Sequence, residues 1–270
     1  MAAPALTIYR RNEAWNPSRI PEISNGTGFW IKPQDKTGTF QESTAVTLSQ
    51  VGDVVGAQRT LGQFVGSFAQ AGLDTLKPLV ATINGRNALH MDTVLKILNG
   101  SNGILGAQNA LIGQSFAFVF RNQSSLAAAA RMFNVTLNGA GGTKFTFYIE
   151  VTTGAPSILT RCNAGDTQAA SAGVSTVVNT HYICVCGVRY PDATKSQFID
   201  INGVNVAATT PGWTGTATCE ALNAAAFTLF NAASPPTGAM IGEFIWVPRF
   251  FDTNERIELA CYLNDQWKIY

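Results

Sequence analysis

Apolar and polar residues alternate along much of the chain, which is the pattern of strands that bury one face. In segment 115–121 the alternation places Phe116, Phe118 and Phe120 on one face, and segment 144–151 repeats it. Other apolar segments predict strands at residues 29–31, 127–135, 181–189, 197–206, 226–230 and 241–247. Strands recur about every 10 to 20 residues with turn signals between them. This spacing predicts an all-β fold, a two-sheet antiparallel sandwich.

Two Asn-Gly pairs, Asn84-Gly85 and Asn202-Gly203, mark tight turns between apolar segments. Asn-Gly in such a position is the strongest short hairpin signal, because both residues tolerate positive φ. Segment 181–189 is almost wholly apolar, so we expect it in the middle of a sheet. Residues 41–80 are polar and Gly-rich, and they predict long loops with room for one short helix.

The C-terminal residues predict a turn and then a short capped helix. Asp252 can accept the backbone N–H of Glu255, and the Glu255 carboxylate can reach back to the N–H of Asp252. The helix is expected to continue almost to the last residue. Its predicted apolar face consists of Ile257, Ala260, Cys261, Leu263 and Trp267.

Residues 1–27 hold three prolines and show no sustained period, so they predict an extended N-terminal arm. We therefore divide the chain into this arm and a sandwich domain, residues 28–270. A disordered tail is the alternative for a terminal segment of this composition. If the arm binds a partner, its anchors are expected to be Tyr9, Arg10, Arg11 and Trp15.

Charged residues make up only 13% of the 270 residues, and the net charge is +1. Typical soluble domains carry roughly a quarter of charged residues. Such a surface suits a virus particle, a secreted setting or an assembly whose faces are covered. No broad field attracts nucleic acid or an anionic membrane. The start of the chain lacks the features of a signal peptide, so synthesis in the cytoplasm is expected.

Two of the five cysteines, Cys184 and Cys186, lie two residues apart in the predicted central strand. Residues i and i+2 of a strand point to the same face, so the two thiols are expected side by side. Small buried hydrophobic residues in reduced form are the main interpretation. A zinc ligand pair and a disulfide are the alternatives.

Three segments together resemble the concanavalin A-like lectin/glucanase superfamily, in its laminin-G-like branch. Segment 28–35 is similar to the opening strand of such domains, segment 83–92 to their Asn-Gly-Arg hairpin, and segment 242–267 to their closing strand and helix. The closing match includes Glu243, Glu255, Arg256, Tyr262, Leu263 and Trp267. The resemblance covers about residues 28–270 and implies a jelly roll of two packed antiparallel sheets.

The chain departs from this superfamily where chemistry is concerned. Hydrolytic members use paired carboxylates in a groove, but Glu150, Asp200 and Glu243 each stand alone in the sequence. We therefore expect no enzyme, and we interpret Glu243 as a hydrogen-bonded structural carboxylate. Calcium, which some relatives bind, would require the fold to gather scattered carboxylates; no cofactor is otherwise expected. These carboxylates are Asp35, Asp53, Asp92, Asp166 and Asp192.

The resemblance implies a structural role, because domains of this branch are frequent in bacteriophage particles and on bacterial surfaces. Our leading expectation is a non-enzymatic virion structural or decoration protein, associated with the capsid or tail. It would be made in the host cytoplasm, form homo-oligomers and bind other virion proteins through its arm. No nucleic acid and no membrane partner are expected.

The alternative is a carbohydrate-binding or host-receptor-binding adhesin domain of a tail fibre. Sugars stack on aromatic side chains and bind amides through their hydroxyl groups. Trp213, between glycines in a predicted loop, is the candidate aromatic platform, with Asn202 and Asn205 as candidate amides. Trp213 could instead cover the sandwich edge or pack on a neighbour.

Overall fold

A computed structural model of the chain describes residues 15–35, 37–63, 66–93, 96–100, 113–125, 130–137, 143–161, 167–171, 173–189, 196–206, 225–230 and 236–270. Helices α1 (Pro21–Asn25) and α2 (Thr253–Trp267) lie near the two ends of the described chain. The strands are β1 (Phe29–Ile31), β2 (Thr39–Phe40), β3 (Ala57–Arg59), β4 (Ser67–Ala69), β5 (Leu79–Ile83), β6 (Arg86–His90), β7 (Leu98–Gly100), β8 (Gly113–Arg121), β9 (Ala130–Leu137), β10 (Thr143–Ile149), β11 (Pro156–Arg161), β12 (Thr167–Ser171), β13 (His181–Arg189), β14 (Gln197–Ile201), β15 (Val204–Asn205), β16 (Ala225–Leu229) and β17 (Met240–Val247).

The described strands form two antiparallel sheets, which confirms the predicted sandwich of the jelly-roll type. The first sheet has eight strands in the order β15-β14-β13-β8-β17-β6-β5, and β1 pairs with β17 beside β6. The second has nine in the order β12-β11-β10-β9-β16-β7-β4-β3-β2. Strand β13 lies between β8 and β14, in the middle of its sheet as predicted.

The space between the sheets is filled mainly by phenylalanine. The predicted alternation places Phe116 and Phe118 of β8 against Phe145 and Phe147 of β10, with ring centres 4.4 and 4.9 Å apart. Rings at these separations interact favourably beyond their burial alone, by about 0.5–1.5 kcal/mol per pair. The phenylalanine pattern therefore fixes which face of each strand turns inward.

The first sheet is covered on its outer face as well, by α2 and by residues near α1. In β17, for example, Phe244 and Trp246 face the inner core, while Ile245 and Val247 belong to the outer cluster with Leu263. A strand that is buried on both faces needs apolar residues at every position. This explains why most positions of β13 and β17 are apolar, with the hydrogen-bonded Glu243 as an exception in β17.

The capping box of α2 is confirmed: Asp252 accepts from the Glu255 N–H, and Glu255 accepts from the Asp252 N–H, each at 2.9 Å. The predicted apolar face was partly wrong, because Ile257 and Cys261 are exposed. The buried stripe instead consists of Leu259, Ala260, Tyr262, Leu263 and Trp267. Compared with the predicted face, the buried stripe is shifted around the helix toward Leu259 and Tyr262, which pack in the outer cluster.

The second half of the predicted arm is helical rather than extended. A 3-10 turn, Pro17–Arg19, leads into α1, which ends at Gly26 with a φ of 79°. Ile20 and Ile23 are buried in the outer cluster, and Glu22 accepts from Arg249 Nε at 2.8 Å. These contacts hold residues 15–25 on the body of the domain.

Residues 41–80 contain more strand than the sequence predicted. Strands β3 and β4 and the start of β5 lie there, together with a 3-10 turn, Asp74–Leu76. Strands of three residues provide too few positions for a readable alternation. The long loops expected here are confirmed for residues 41–56, which hold no strand, and wrong for the segments that form β3, β4 and β5.

Cys184 and Cys186 are free and buried, as the main interpretation predicted, and both belong to the inner core. Burial raises the pKa of the Cys184 thiol, and the neighbouring Cys186 raises it further. Cys162 and Cys219 lie outside the described residues. In the same described ranges, no helix is long and apolar enough to cross a membrane.

Candidate binding groove

An open groove of about 590 Å³ lies where β1, the β5–β6 turn and the end of α2 meet. Small-ligand sites commonly have volumes of about 300–1,000 Å³. We call it the Trp30 groove. Its lining residues are Trp30, Lys32, Gln34, Asp35, Leu61, Gly85, Arg86, Asn87 and Gln266.

The three segments that carry the family resemblance meet at this groove. The opening strand and its turn supply Trp30 and Lys32, the hairpin supplies Arg86, and the closing helix supplies Gln266. The strand, the hairpin turn and the docked helix each have a structural role that does not depend on a binding site. Their convergence is a property of the fold.

The β5–β6 turn is fixed to the end of α2. Asn84 and Gly85 have φ of 48° and 78°, the positive values that a two-residue hairpin turn of this type needs. Asn84 Nδ2 donates to the backbone oxygens of Trp267 and Lys268, at 2.9 Å each. Arg86 and Asn87, which follow the turn, are therefore held at the groove wall.

Beneath the groove, the fully buried Glu243 of β17 joins β1 to α2. Its Oε1 accepts from Trp30 Nε1 and from the Tyr262 hydroxyl, each at 2.7 Å, and its Oε2 accepts from Trp267 Nε1 at 3.1 Å. Burial raises the pKa of Glu243, and the three donors together with the charge of Lys32 oppose that rise. Glu243 is thus the hydrogen-bonded carboxylate that the sequence predicted, and it holds Trp30 in place.

Tyr262 connects Glu243 to the charged side of the groove. Its hydroxyl donates to Glu243 and accepts from Lys32 Nζ at 3.3 Å. Burial raises the pKa of Tyr262, and the carboxyl of Glu243 raises it further. The Lys32 ammonium lies 5.3 Å from the Trp30 ring centre and 5.9 Å from the Tyr262 ring centre. A cation in this position is attracted by both ring faces.

The polar groups around the groove leave hydrogen-bonding capacity free. Arg86 Nη1 donates to Gln34 Oε1 at 2.9 Å. Among the described residues, the side-chain amides of Asn87 and Gln266 form no hydrogen bond to protein. The half-buried Trp30 indole and Leu61 add apolar surface. The arrangement can hold a small ligand that has one apolar face and a rim of hydroxyl groups.

Of the residues predicted for glycan binding, Asn202 and Asn205 do not line this groove. Asn202 turns the β14–β15 hairpin, where its Oδ1 accepts from the Ile183 N–H at 2.9 Å. Asn205 Nδ2 donates to Asp200 Oδ1 at 2.7 Å. Strands β13, β8 and β17 separate β14 from β1, which is roughly 19 Å at the usual strand spacing. Trp213 lies outside the described residues.

Of the predicted arm anchors, Trp15 packs on the domain itself. Its ring meets the Tyr262 ring edge to face, with centres 5.6 Å apart. Tyr9, Arg10 and Arg11 lie outside the described residues. Trp15 therefore belongs to the segment that is fastened over α2.

The other single carboxylates have ordinary structural partners. Asp200 pairs with Arg256, whose Nε donates at 2.6 Å, and Glu150 accepts from the hydroxyls of Tyr148 and Ser157. Across the parts of the chain that are described, no group of three His, Cys, Asp or Glu side chains is placed to hold a metal ion. Asp166 and Asp192 are not among the described residues.

No family model matches the chain, and no curated protein matches it. Solved structures do resemble it. A Trypanosoma rangeli sialidase in complex with the inhibitor DANA is 10% identical, with a TM-score of 0.57 over 86% of this chain and 32% of its own. The receptor binding domain of a botulinum neurotoxin C/D mosaic serotype is 9% identical, with a TM-score of 0.55 over 87% and 51%. The ligand binding domain of botulinum neurotoxin serotype D, in complex with N-acetylneuraminic acid, is 9% identical, with a TM-score of 0.56 over 87% and 52%.

At these identities the likeness shows the fold alone. The chain spans about a third of the sialidase chain and about half of the two toxin chains. The lectin-like, two-sheet sandwich is confirmed. The laminin-G-like branch and the link to bacteriophage stay predictions.

Sequence reasoning did not identify the groove as a site. The sequence pattern predicts a strand at Trp30 and a hairpin at Arg86, and it predicts no binding role for Gln266. One signal was available: all three resembling segments contain polar or aromatic residues beyond what a strand or turn requires. Only the fold reveals that these residues share one cavity.

Proposed function

We propose that the chain is a non-catalytic carbohydrate-binding domain and that the Trp30 groove is its site. The observation that carries the proposal is the composition of the groove: a half-buried indole, an aliphatic side chain and unpaired amides line one cavity of suitable volume. A sugar ring offers an apolar face and a hydroxyl rim, and each part finds a matching surface here. Binding pockets are typically apolar with a few placed polar groups.

The comparisons lend general support to this proposal. One of the toxin domains is described as a ligand binding domain in complex with N-acetylneuraminic acid, and another as a receptor binding domain. Because the chain spans only part of those proteins, their ligands are not transferred to the groove. The sialidase is an enzyme by name, but this chain spans about a third of it.

The absence of turnover is also a proposal, and it rests on the carboxylates. Glu243 is buried beneath the groove and is engaged by three donors, so it cannot reach a ligand. Asp35 is the other carboxylate at the site, and its Oδ1 accepts from the Thr37 N–H at 3.1 Å and from the Thr37 hydroxyl at 2.7 Å. Glycoside hydrolysis usually requires two carboxyl groups that flank the bond.

A glycan array followed by calorimetry on the full chain tests the proposal. We expect Asn87→Ala and Gln266→Ala each to weaken binding roughly two- to tenfold, which is the usual contribution of one neutral hydrogen bond. Thermal unfolding should be unchanged, because neither amide bonds to any of the described residues. The variant Trp213→Ala is the comparison: if it abolishes binding while both groove variants bind normally, the groove is not the site. Absence of binding to any glycan would refute the proposal.

We also retain, as a second proposal, attachment of this domain to a virus particle through its N-terminal residues. The supporting observation is that residues 15–25 pack on the sandwich domain. A partner that binds residues 1–14 would therefore be connected to the domain through an ordered segment. The test is deletion of residues 1–14, with incorporation into particles as the measurement. A deletion variant that is folded and still fully incorporated would refute attachment through these residues.

A further inference from the structure

Two cations line the Trp30 groove without a carboxylate partner of their own. In the described part of the chain, neither Lys32 nor Arg86 has a carboxylate oxygen within 4 Å. The chain forms such pairs elsewhere, as Arg256 does with Asp200 and Arg249 does with Glu255. Lys32 and Arg86 therefore lack the carboxylate partners that Arg249 and Arg256 have beside α2.

Both cations have donors to spare. Arg86 uses Nη1 for Gln34, and a guanidinium carries five N–H donors. Lys32 makes one long contact of 3.3 Å to the Tyr262 hydroxyl, and an ammonium has three donors. The remaining donors belong to side chains that line the groove.

Asp35, which lines the groove, and Glu243, which lies beneath it, each accept hydrogen bonds from other residues. Asp35 directs Oδ1 to its own turn, where Thr37 donates twice. Glu243 lies behind Tyr262, is fully buried and has three donors of its own. An anion bound at Lys32 and Arg86 would be attracted by both of their charges.

We propose that the Trp30 groove binds a sugar that carries a carboxylate, such as a uronic or sialic acid residue. This proposal rests on the carbohydrate-binding function proposed above and names its ligand class. Arg86 and Lys32 bind the carboxylate, because the planar guanidinium matches a carboxylate and the ammonium adds a point charge. The amides of Asn87 and Gln266 bind hydroxyl groups, and Trp30 and Leu61 contact the ring.

A single carboxylate fits better than a polysulfated chain. The groove offers two cations against one carboxylate at its edge, and the whole protein has a net charge of only +1. Binding of a polyanion depends on a basic patch that follows many charges. Here the positive charge is local and lies beside the indole that would contact the ring.

Calorimetry on the full chain with sialylated and glucuronate-containing oligosaccharides tests this ligand class, with carboxyl-reduced oligosaccharides as matched probes. We expect Arg86→Gln and Lys32→Gln each to weaken binding of the acidic sugar about tenfold or more, because each removes a charge-assisted bond. The reduced probe should bind both variants about as weakly as it binds the wild type. Arg131→Gln, which removes a cation from β9 of the second sheet, is the matched control and should change nothing.

The variant Asp35→Asn tests the same charges in the opposite direction. An asparagine keeps the Oδ1 acceptor for Thr37 and removes one negative charge from the groove. Affinity for the acidic sugar should rise, whereas affinity for the reduced probe should stay constant. Damage to the fold cannot produce such a gain.

The outcomes separate the two proposals. If acidic and reduced sugars bind equally and the Lys32 and Arg86 variants bind both normally, the ligand class is wrong and carbohydrate binding stands. Tighter binding of heparin-like sulfated chains than of carboxylated sugars would also overturn the ligand class. If no sugar binds at all, both proposals are overturned.

Discussion

Replacing Glu243 by glutamine should destabilise the domain although it changes one atom. A carboxyl group can accept at both oxygens, whereas an amide accepts at one and donates from the other position. Both oxygens of Glu243 are in use: Oε1 accepts from Trp30 and Tyr262, and Oε2 accepts from Trp267. In either orientation, the amide NH₂ of Glu243→Gln faces an indole N–H, which can only donate.

At least one buried donor therefore loses its partner, which costs about 1–3 kcal/mol. For a domain of this size we expect the midpoint of thermal unfolding to fall by roughly 2–4 °C for each kcal/mol. Urea unfolding followed by tryptophan fluorescence measures the free energy directly. An unfolding free energy within about 0.5 kcal/mol of the wild type would refute the three-donor arrangement.

The control is the same substitution at Glu150. The Glu150 carboxylate accepts from two hydroxyls, of Tyr148 and Ser157, and both bonds go to Oε1. An amide can keep its oxygen at that position, so Glu150→Gln should have little effect. A second check is Trp267→Phe, which removes one of the three donors. In that background Glu243→Gln should cost less, because the unpaired indole is gone.

Three further outcomes are expected. Deletion of residues 1–27 should lower stability by about 3 kcal/mol or more, because it removes two buried isoleucines, Ile20 and Ile23, whereas deletion of residues 1–14 retains them; urea unfolding compares the two. Gly242→Ala should cost about 1–3 kcal/mol, because a Cβ would lie 2.8 Å from the Trp267 ring, and unfolding equal to the wild type would contradict the packing. Burial and the charge of Arg121 lower the pKa of His90 and His181 below 6.5, so stability that is present above pH 6.5 should be lost as the pH falls through the lowered values. Unfolding at pH 7.5 and 5 tests this, and replacing both histidines by glutamine should reduce the difference.

Local signals in the sequence predicted those parts of the fold that depend on neighbouring residues. Asn84-Gly85 forms a hairpin because only residues that tolerate positive φ close a two-residue turn of this kind. Asp252 and Glu255 cap α2 because their spacing matches one helical turn. The alternation at Phe116 and Phe118 correctly gave the inner face of β8.

Features that depend on distant contacts were missed. The buried face of α2 was predicted from apolar character, which favoured Ile257 and Cys261. In the fold that face includes Tyr262, because its hydroxyl bonds to Glu243 of another element. Helix α1 carried a readable signal, with Pro21 at its first turn and Gly26 after its end, but the three prolines of the segment favoured an extended arm.

The candidate site could not be predicted for the same reason. Trp30 and Glu243 are 213 residues apart in the sequence, and the hydrogen bond between them requires β1 to pair with β17. The additional polar and aromatic residues of these segments are visible in the sequence, but nothing there places them around one cavity. The three segments could be recognised from the sequence, but their convergence at one groove could not be predicted from it.

The groove contains residues that also hold the fold together, such as Trp30, and residues that only line it. The indole lines the groove and also bonds to Glu243, so under the proposed function a change of Trp30 should alter folding and recognition together. Asn87 and Gln266 have no such second role among the described residues. A lineage of such domains could exchange these two side chains and acquire a new preference without losing its scaffold. An engineer who wants a different specificity should randomise those positions and leave Trp30 fixed.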